Sequence, residues 1–457
     1  MGRKLVLRST GNTNKIFQKK CTTVVFGKHA TADGSVLMAH TEDGAENEEY
    51  PCRHLVYHPR ATYPPGAELK LTAETITQVP VTYAYYSNDV HGLHEEQVVD
   101  GINEYGVAIA SNAIYTKEQV LEKGGISWTE NIKLVMERCK TAKEGVDLIT
   151  QLLDKYGNSF LTYEHHRYWS GLTYVIVDSE EAWIIECTPR HWAAKRCPDD
   201  GVFFYANEML LENDYDMASD DLTSYAVEKG WYDPSSGPFS FKRAYGTELG
   251  QDWNVGRMKR MDFLLSPKIG TVRVQDLMAF LRDHYEGTVY NYHYPPHAYH
   301  AVGPYHAGGH YTICNSTTHD AEVWHLRSYM PTDIGCVMWC CLSSPCQNVF
   351  QPIWAGARVD TPLEYTVGAG EPDLHSAWWA TQSIRRMVDR DYENRIKLIR
   401  ETWQQREAAE FDLAAEREML AMILWQNGQK DEARELLAEL QNACLHGNYL
   451  TALNLLQ

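Results

Sequence analysis

From Cys21 to Lys28 the chain alternates polar and apolar positions in the two-residue period of a strand (CTTVVFGK). ATADG then supplies a turn, with glycine where the backbone must be permissive, and SVLMAHTED resumes the alternation. These two segments predict a hairpin that begins at Cys21. Strand patterns continue at 54–58 (HLVYH), 79–86 (VPVTYAYY) and 107–111 (VAIAS), with GINEYG, residues 101–106, as a connecting turn. The period then lengthens, and apolar positions from Thr129 to Gly157 predict two helices. Strands return at 172–178 (LTYVIVD) and 182–187 (AWIIEC), and HWAAKRC and VFFYAN extend them as a meander. A helical stretch covers roughly 257–284, strands run from Tyr311 to Cys341, and the pattern is helical from about Ser376 to the end.

Two groups of strands, separated and followed by helices, fit an α+β chain. The specific form is a four-layer αββα sandwich, two facing sheets between helix layers, with a helical C-terminal extension. The expected organisation is a removable leader over 1–20, a core over 21–370 and the extension over 371–457. That extension serves either to pack on the core or to form a homo-oligomer interface.

The leader carries six Lys or Arg and no Asp or Glu. Its only apolar run is Leu5-Val6-Leu7, too short for the core of a secretory signal. A mitochondrial transit segment matches its basic composition but not its shortage of apolar residues, and a retained disordered tail is the plain alternative. The net charge of −19 would become −25 without the leader, which argues against nucleic acid and anionic membrane as partners. With 44% hydrophobic residues, 13 Trp and 28 Tyr, the composition is that of an ordered globular chain. No run approaches the length of a membrane span.

Eleven cysteines, an odd number scattered without a signal peptide, indicate a reducing, cytoplasmic setting. Cys336, Cys340, Cys341 and Cys346 cluster in an apolar run without paired C-x2-C spacing, so they read as buried small hydrophobes. Six histidines fall between His284 and His310 in a Pro- and Gly-rich loop that suits either metal binding or a cleft lining. The expectation is no cofactor and no metal.

Cutting Lys20–Cys21 would put a thiol and a free α-amine on one residue, a nucleophile carrying its own base. An α-amine of pKa about 7.7–8.0 can take the thiol proton at neutral pH, so no catalytic histidine is needed. Asn112 and Asn207 are candidate donors to the developing oxyanion, and Asp43 a candidate partner of the ammonium. Each has a plainer reading: Asp43 as a turn residue, Asn207 as the N-cap of the MLL segment, Asn112 as a strand-end anchor. His284 and Glu286 stand at the end of a predicted helix, where a histidine favours the dipole, and are left out of the catalytic set.

CTTVVFGKHATADGSVLMAHTEDG resembles the amino-terminal signature of the cysteine dipeptidase family that includes dipeptidase A and is related to secernins. RDHYEGT, TICNSTTHDAEVWHLR and MWCCLSSPCQNVFQPIW resemble its later blocks, in order, from Cys21 to about Gly356. The resemblance implies an N-terminal-nucleophile hydrolase, distantly related to bile salt hydrolases and penicillin V acylases. It implies Cys21 as nucleophile, Asp43 as holder of the α-amine, Asn112 and Asn207 as oxyanion or amine-binding residues, and Arg257 as a further site residue, with Arg260 as its alternative. His40 stands where the acylases carry arginine. The implied activity is hydrolysis of dipeptides, small peptide substrates whose ammonium the acidic GAENEEY stretch (Glu46, Glu48, Glu49) could meet. Hydrolysis of N-acyl amides and a non-catalytic, secernin-like binding role are the alternatives.

Overall fold

The computed structural model describes residues 21–44, 52–91, 97–159, 170–247, 251–288, 312–315 and 317–457. The leader, the Glu46–Glu48–Glu49 stretch and all but the first of the loop histidines lie outside the described residues.

Fourteen strands carry the two main sheets: β1 (Thr22–Phe26), β2 (Val36–Asp43), β3 (Cys52–His58), β4 (Tyr85–His91), β5 (Gln97–Asn103), β6 (Ala108–Ile114), β7 (Gly171–Val177), β8 (Ala182–Cys187), β9 (Trp192–Arg196), β10 (Val202–Tyr205), β11 (Met217–Ala218), β12 (Thr318–Leu326), β13 (Cys336–Leu342) and β14 (Gln351–Trp354). One sheet has the order β10-β1-β2-β12-β13-β14 and the other β11-β9-β8-β7-β6-β5-β4-β3. The named pairings are antiparallel. The larger helices are α1 (Trp128–Arg138), α2 (Ala142–Tyr156), α3 (Gln251–Leu265), α4 (Val274–Leu281), α5 (Ala377–Arg390), α6 (Tyr392–Gln426) and α7 (Lys430–Leu455).

The layering follows from which apolar residues meet. Val175, Val177 and Ile184 of the eight-stranded sheet share one core with Met38 and Trp324 of the six-stranded sheet. The next residues along the same strands, Tyr174, Ile176 and Ile185, point the other way, into Ile132 and Val135 of α1 and Val146 and Ile149 of α2. Beyond the six-stranded sheet, Leu277 and Met278 of α4 and Ala414, Ala421 and Leu437 of the last two helices close the opposite side. The four-layer αββα order expected from the chain is therefore the one observed.

Local chemistry sets the helix ends. Ser127 caps α1 through a capping box with Glu130, and Thr141 caps α2, each satisfying amide groups that the first turn leaves unpaired. Ser376 caps α5, where the pattern placed the start of the final helical region. The last helices are bound to the sheet by buried polar contacts. Arg327 grips Glu418 with two bonds of 2.7 Å, Trp354 Nε1 donates to the same carboxylate at 3.0 Å, and Arg282 pairs with Glu407 at 2.6 and 3.0 Å.

Three sequence expectations shift. GINEYG is only half a turn, because Gly101 to Asn103 belong to β5. Gly101 is there since a Cβ would lie 2.3 Å from the Tyr86 carbonyl oxygen, whereas Gly106, at φ 77°, supplies the turn. The 79–86 segment breaks into a two-residue strand and the start of β4, which runs on to His91 through buried polar residues that hide the alternation. VFFYAN does not extend the meander: β10 crosses to the other sheet and pairs with β1.

Candidate active site

β1 lies between β10 and β2, and its register with β2 pairs Thr22 with Thr41 and Thr23 with His40. That register brings Cys21, just ahead of β1, opposite the end of β2. Its Sγ is 3.6 Å from Glu42 Oε2 and 3.8 Å from the Asp43 carbonyl oxygen, and the residue is 2% exposed.

Asp43 is fully buried in β2 rather than at a turn. Oδ2 accepts from Thr41 Oγ1 at 2.9 Å, while Oδ1 has no hydrogen-bond partner. Burial pushes this carboxyl up to about 7, against the opposing pull of the Thr318 and Thr41 hydroxyls and the Arg257 charge.

Arg257, on α3, is fully buried and acts as a four-way tie. Nη1 donates to the Cys21 carbonyl oxygen at 2.8 Å and to Thr22 Oγ1 at 3.1 Å. Nη2 donates to Asn207 Oδ1 at 2.9 Å and Asn254 Oδ1 at 2.6 Å. Asn254, one turn earlier on the same helix, also holds the Asn207 backbone with its side chain: Oδ1 accepts from Asn207 N at 3.2 Å and Nδ2 donates to Asn207 O at 2.8 Å. Of the two arginines the sequence left open, Arg257 is at Cys21. Arg260 instead binds Asp283 at 2.5 and 2.9 Å.

Asn207 is followed by irregular chain, so it caps no helix, and its Nδ2 donates to Ala113 O at 2.9 Å. Asn112, inside β6, crosses between the sheets: Oδ1 accepts from Thr23 Oγ1 at 2.5 Å and Nδ2 donates to Ala206 O at 3.3 Å. Since the Thr23 hydroxyl donates to Asn112, His40 Nδ1, 2.8 Å from the same hydroxyl, must carry the proton it shares there. His40 Nε2 then faces Glu42 Oε2 at 3.5 Å. The structure thus brings Cys21, His40, Asp43, Asn112, Asn207 and Arg257 into one connected network.

Two members of the network, Glu42 and Asn254, went unread in the sequence. Glu42 alternates out of phase with Asp43, so only one of the two suits a simple one-faced strand, yet both are buried. Asn254 sits one turn before Arg257, a spacing that was visible. A group of acids continues from Glu42 through its strand neighbour Asp320 to Asp100 and Glu322, all fully buried in the case of the last three. Asn88 Nδ2 bridges Asp100 and Glu322 at 2.9 and 2.8 Å, and Arg53 pairs with Asp320.

Burial, with the neighbouring acids, raises Asp100 and Glu322 well above the ordinary carboxylate range. The folded state therefore binds protons that the unfolded chain releases. This stability is fully present below the unfolded value, near pH 4, and is lost as pH rises toward the folded value. Glu322→Gln should match the parent near pH 4 and exceed it at pH 8 by at least about 1.4 kcal/mol, the worth of one pH unit. Melting temperatures at the two pH values check this, and parallel pH profiles would mean the trio holds no extra proton.

The sequence expectation for His284 changes in place though not in omission: α4 ends at Leu281, and His284 lies beyond it, buried, with Nδ1 3.2 Å from Glu286 Oε1. Cys336, Cys340 and Cys341 are buried thiols on β13, as expected, and Cys346 is buried in the turn that follows.

The family model described as Peptidase family C69 matches residues 20–405. The chain belongs to peptidase family C69. Among curated relatives of this C69 peptidase, a "Probable dipeptidase" of Salmonella dublin is 27% identical over 379 residues, covering 74% of the chain and 81% of the relative. A second "Probable dipeptidase", from Latilactobacillus sakei, is 25% identical over 423 residues and covers 83% of each. Similar solved structures include penicillin V acylase from Agrobacterium tumefaciens, at 14% identity and TM-score 0.40, covering 73% of this chain and 86% of that one. A mutant conjugated bile acid hydrolase from Clostridium perfringens has 15% identity and TM-score 0.38, covering 73% and 92%. No helix among the described residues of the C69 peptidase is long and apolar enough to cross a membrane.

Proposed function

We propose that this enzyme hydrolyses dipeptides with Cys21 as nucleophile after the Lys20–Cys21 bond is cut. The observation that carries the reading is the setting of residue 21. Its carbonyl is clamped by Arg257, its sulfur lies between Glu42 and Asp43, and the nearby Asp43 keeps a buried carboxylate oxygen without a hydrogen-bond partner. A new α-ammonium at residue 21 is the cation such a carboxylate lacks, and an ammonium there would draw Asp43 down from about 7.

The free amine takes the Cys21 thiol proton, the thiolate adds to the substrate carbonyl, and the amine returns the proton to the leaving amino group as the C–N bond breaks. Water then resolves the thioester, its proton passing to the amine and on to sulfur. Asn207 has a second amide hydrogen beyond the one given to Ala113 O, Arg257 holds the oxygen of that amide, and Asn254 holds the Asn207 backbone, which suits the side chain to stabilise the oxyanion. Asn112 of the facing sheet and His40 of β2 hold β1 in place through the Thr23 hydroxyl. A reducing, cytoplasmic location accords with eleven free thiols.

Purified, leaderless protein should release free amino acids from Ala- and Leu-containing dipeptides and leave N-acyl amino acids intact. Turnover of the N-acyl series alone would replace the dipeptidase with an amidase. An intact Cys21 with no turnover on either series would make the chain a binding protein.

A further inference from the structure

Three soft metal-binding side chains that the proposed hydrolysis does not use converge behind Asp43. His284 follows α4, Cys314 lies in the short stretch ahead of β12, and Cys346 is in the 3-10 turn Pro345–Gln347. One ring nitrogen of His284 and the two sulfurs all lie within 4.8 Å of one another, and the three residues are 3%, 0% and 3% exposed. We propose that His284, Cys314 and Cys346 bind a zinc ion, with the fourth tetrahedral position left to an exchangeable ligand.

The surroundings are built for this. Glu286 takes the ring at Nδ1, 3.2 Å away, and also accepts from the His284 amide at 2.7 Å, which fixes the imidazole and presents Nε2 to the sulfurs. A carboxylate behind a ligating histidine sets its tautomer and strengthens it as a ligand. The Cys346 amide also bonds the Cys314 sulfur, which fixes the two cysteines beside each other. The turns are anchored independently: Cys314 N donates to Asp283 O at 3.1 Å, and Arg282 Nε and Arg400 Nε donate to Pro345 O and Cys346 O at 2.9 and 3.3 Å. Two thiolates and one imidazole are the donor set zinc favours, and two thiolates cancel its charge in a buried site. The other buried cysteines, such as Cys341 on β13, join no such group among the described residues. The ion would pin three chain segments beside Thr318, the register partner of Asp43.

The test uses the full-length protein purified from zinc-supplemented cells and needs no activity measurement. Elemental analysis should find about one zinc per chain, and replacement by cobalt should give a thiolate-to-cobalt charge-transfer band. Cys346→Ser and His284→Gln should each retain less than about one-tenth of that metal, while Cys341→Ser keeps it. Should the variants fold poorly, the wild type decides alone. Chelation should lower its melting temperature and expose two further thiols to reagent, both reversed by added zinc. Folded wild type that binds neither zinc nor cobalt overturns the proposal. So does a mass lower by two hydrogens with Cys314 and Cys346 found as a disulfide.

Discussion

Cys21→Ala will leave the chain at full length and without measurable dipeptide hydrolysis. Alanine keeps the strand and the α-amine position but removes the sulfur, so neither attack on the Lys20–Cys21 carbonyl nor thioester formation is available. Loss of a nucleophile from a working catalytic set costs about 10^6 in kcat. Intact mass separates the two roles. A full-length variant beside a leaderless parent means the chain processes itself, and equal trimmed masses assign the cut to another protease while the loss of turnover still stands. Hydrolysis by purified Cys21→Ala at even a hundredth of the parental rate would end the proposal that this thiol is the nucleophile.

Arg257→Leu will lower both stability and turnover. The guanidinium is buried and bonded to four oxygens, and it is the positive charge acting on Asp43. Leucine leaves the carbonyls of Cys21, Asn207 and Asn254 without that donor and Asp43 without that charge. Removing one partner from such a buried arrangement costs about 3–5 kcal/mol. Turnover falls further, because Asn207 and the backbone of residue 21 lose the group that aligns them. Arg257→Lys keeps the charge without the fork, so it should recover part of the melting temperature and little of kcat/KM. Wild-type melting and kcat/KM in the leucine variant would show that the four bonds carry nothing.

Periodicity carried the fold where one face is buried and one is not. The α1–α2 pair and the final helices were legible for that reason, whereas the β1–β2 hairpin, buried on both faces, was legible from the ATADG turn between its two segments. It faded where polar residues are buried between the sheets: β4 contains Ser87, Asn88 and Asp89, and β5 contains Asp100, all sequestered, so neither strand alternates visibly. The same interior explains what was readable in the site. Cys21, Asp43, Asn112, Asn207 and Arg257 stood in recognisable blocks, and His40 and Arg257 were found on the network. Glu42 and Asn254 were missed because their partners lie far along the chain. Cys314, Cys346 and His284 converge only through tertiary contacts, and no spacing in the sequence announces them.

β1 is an interior strand, hydrogen-bonded on both edges. The terminus that the proposed cut would create, ordinarily the first part of a chain to fray, would here be stitched into the interior of a sheet. A molecule carrying one surplus residue ahead of Cys21 would keep every one of those ladder bonds. It would melt, elute and scatter light like the mature enzyme while doing no chemistry, so good behaviour in solution says nothing about whether maturation has occurred.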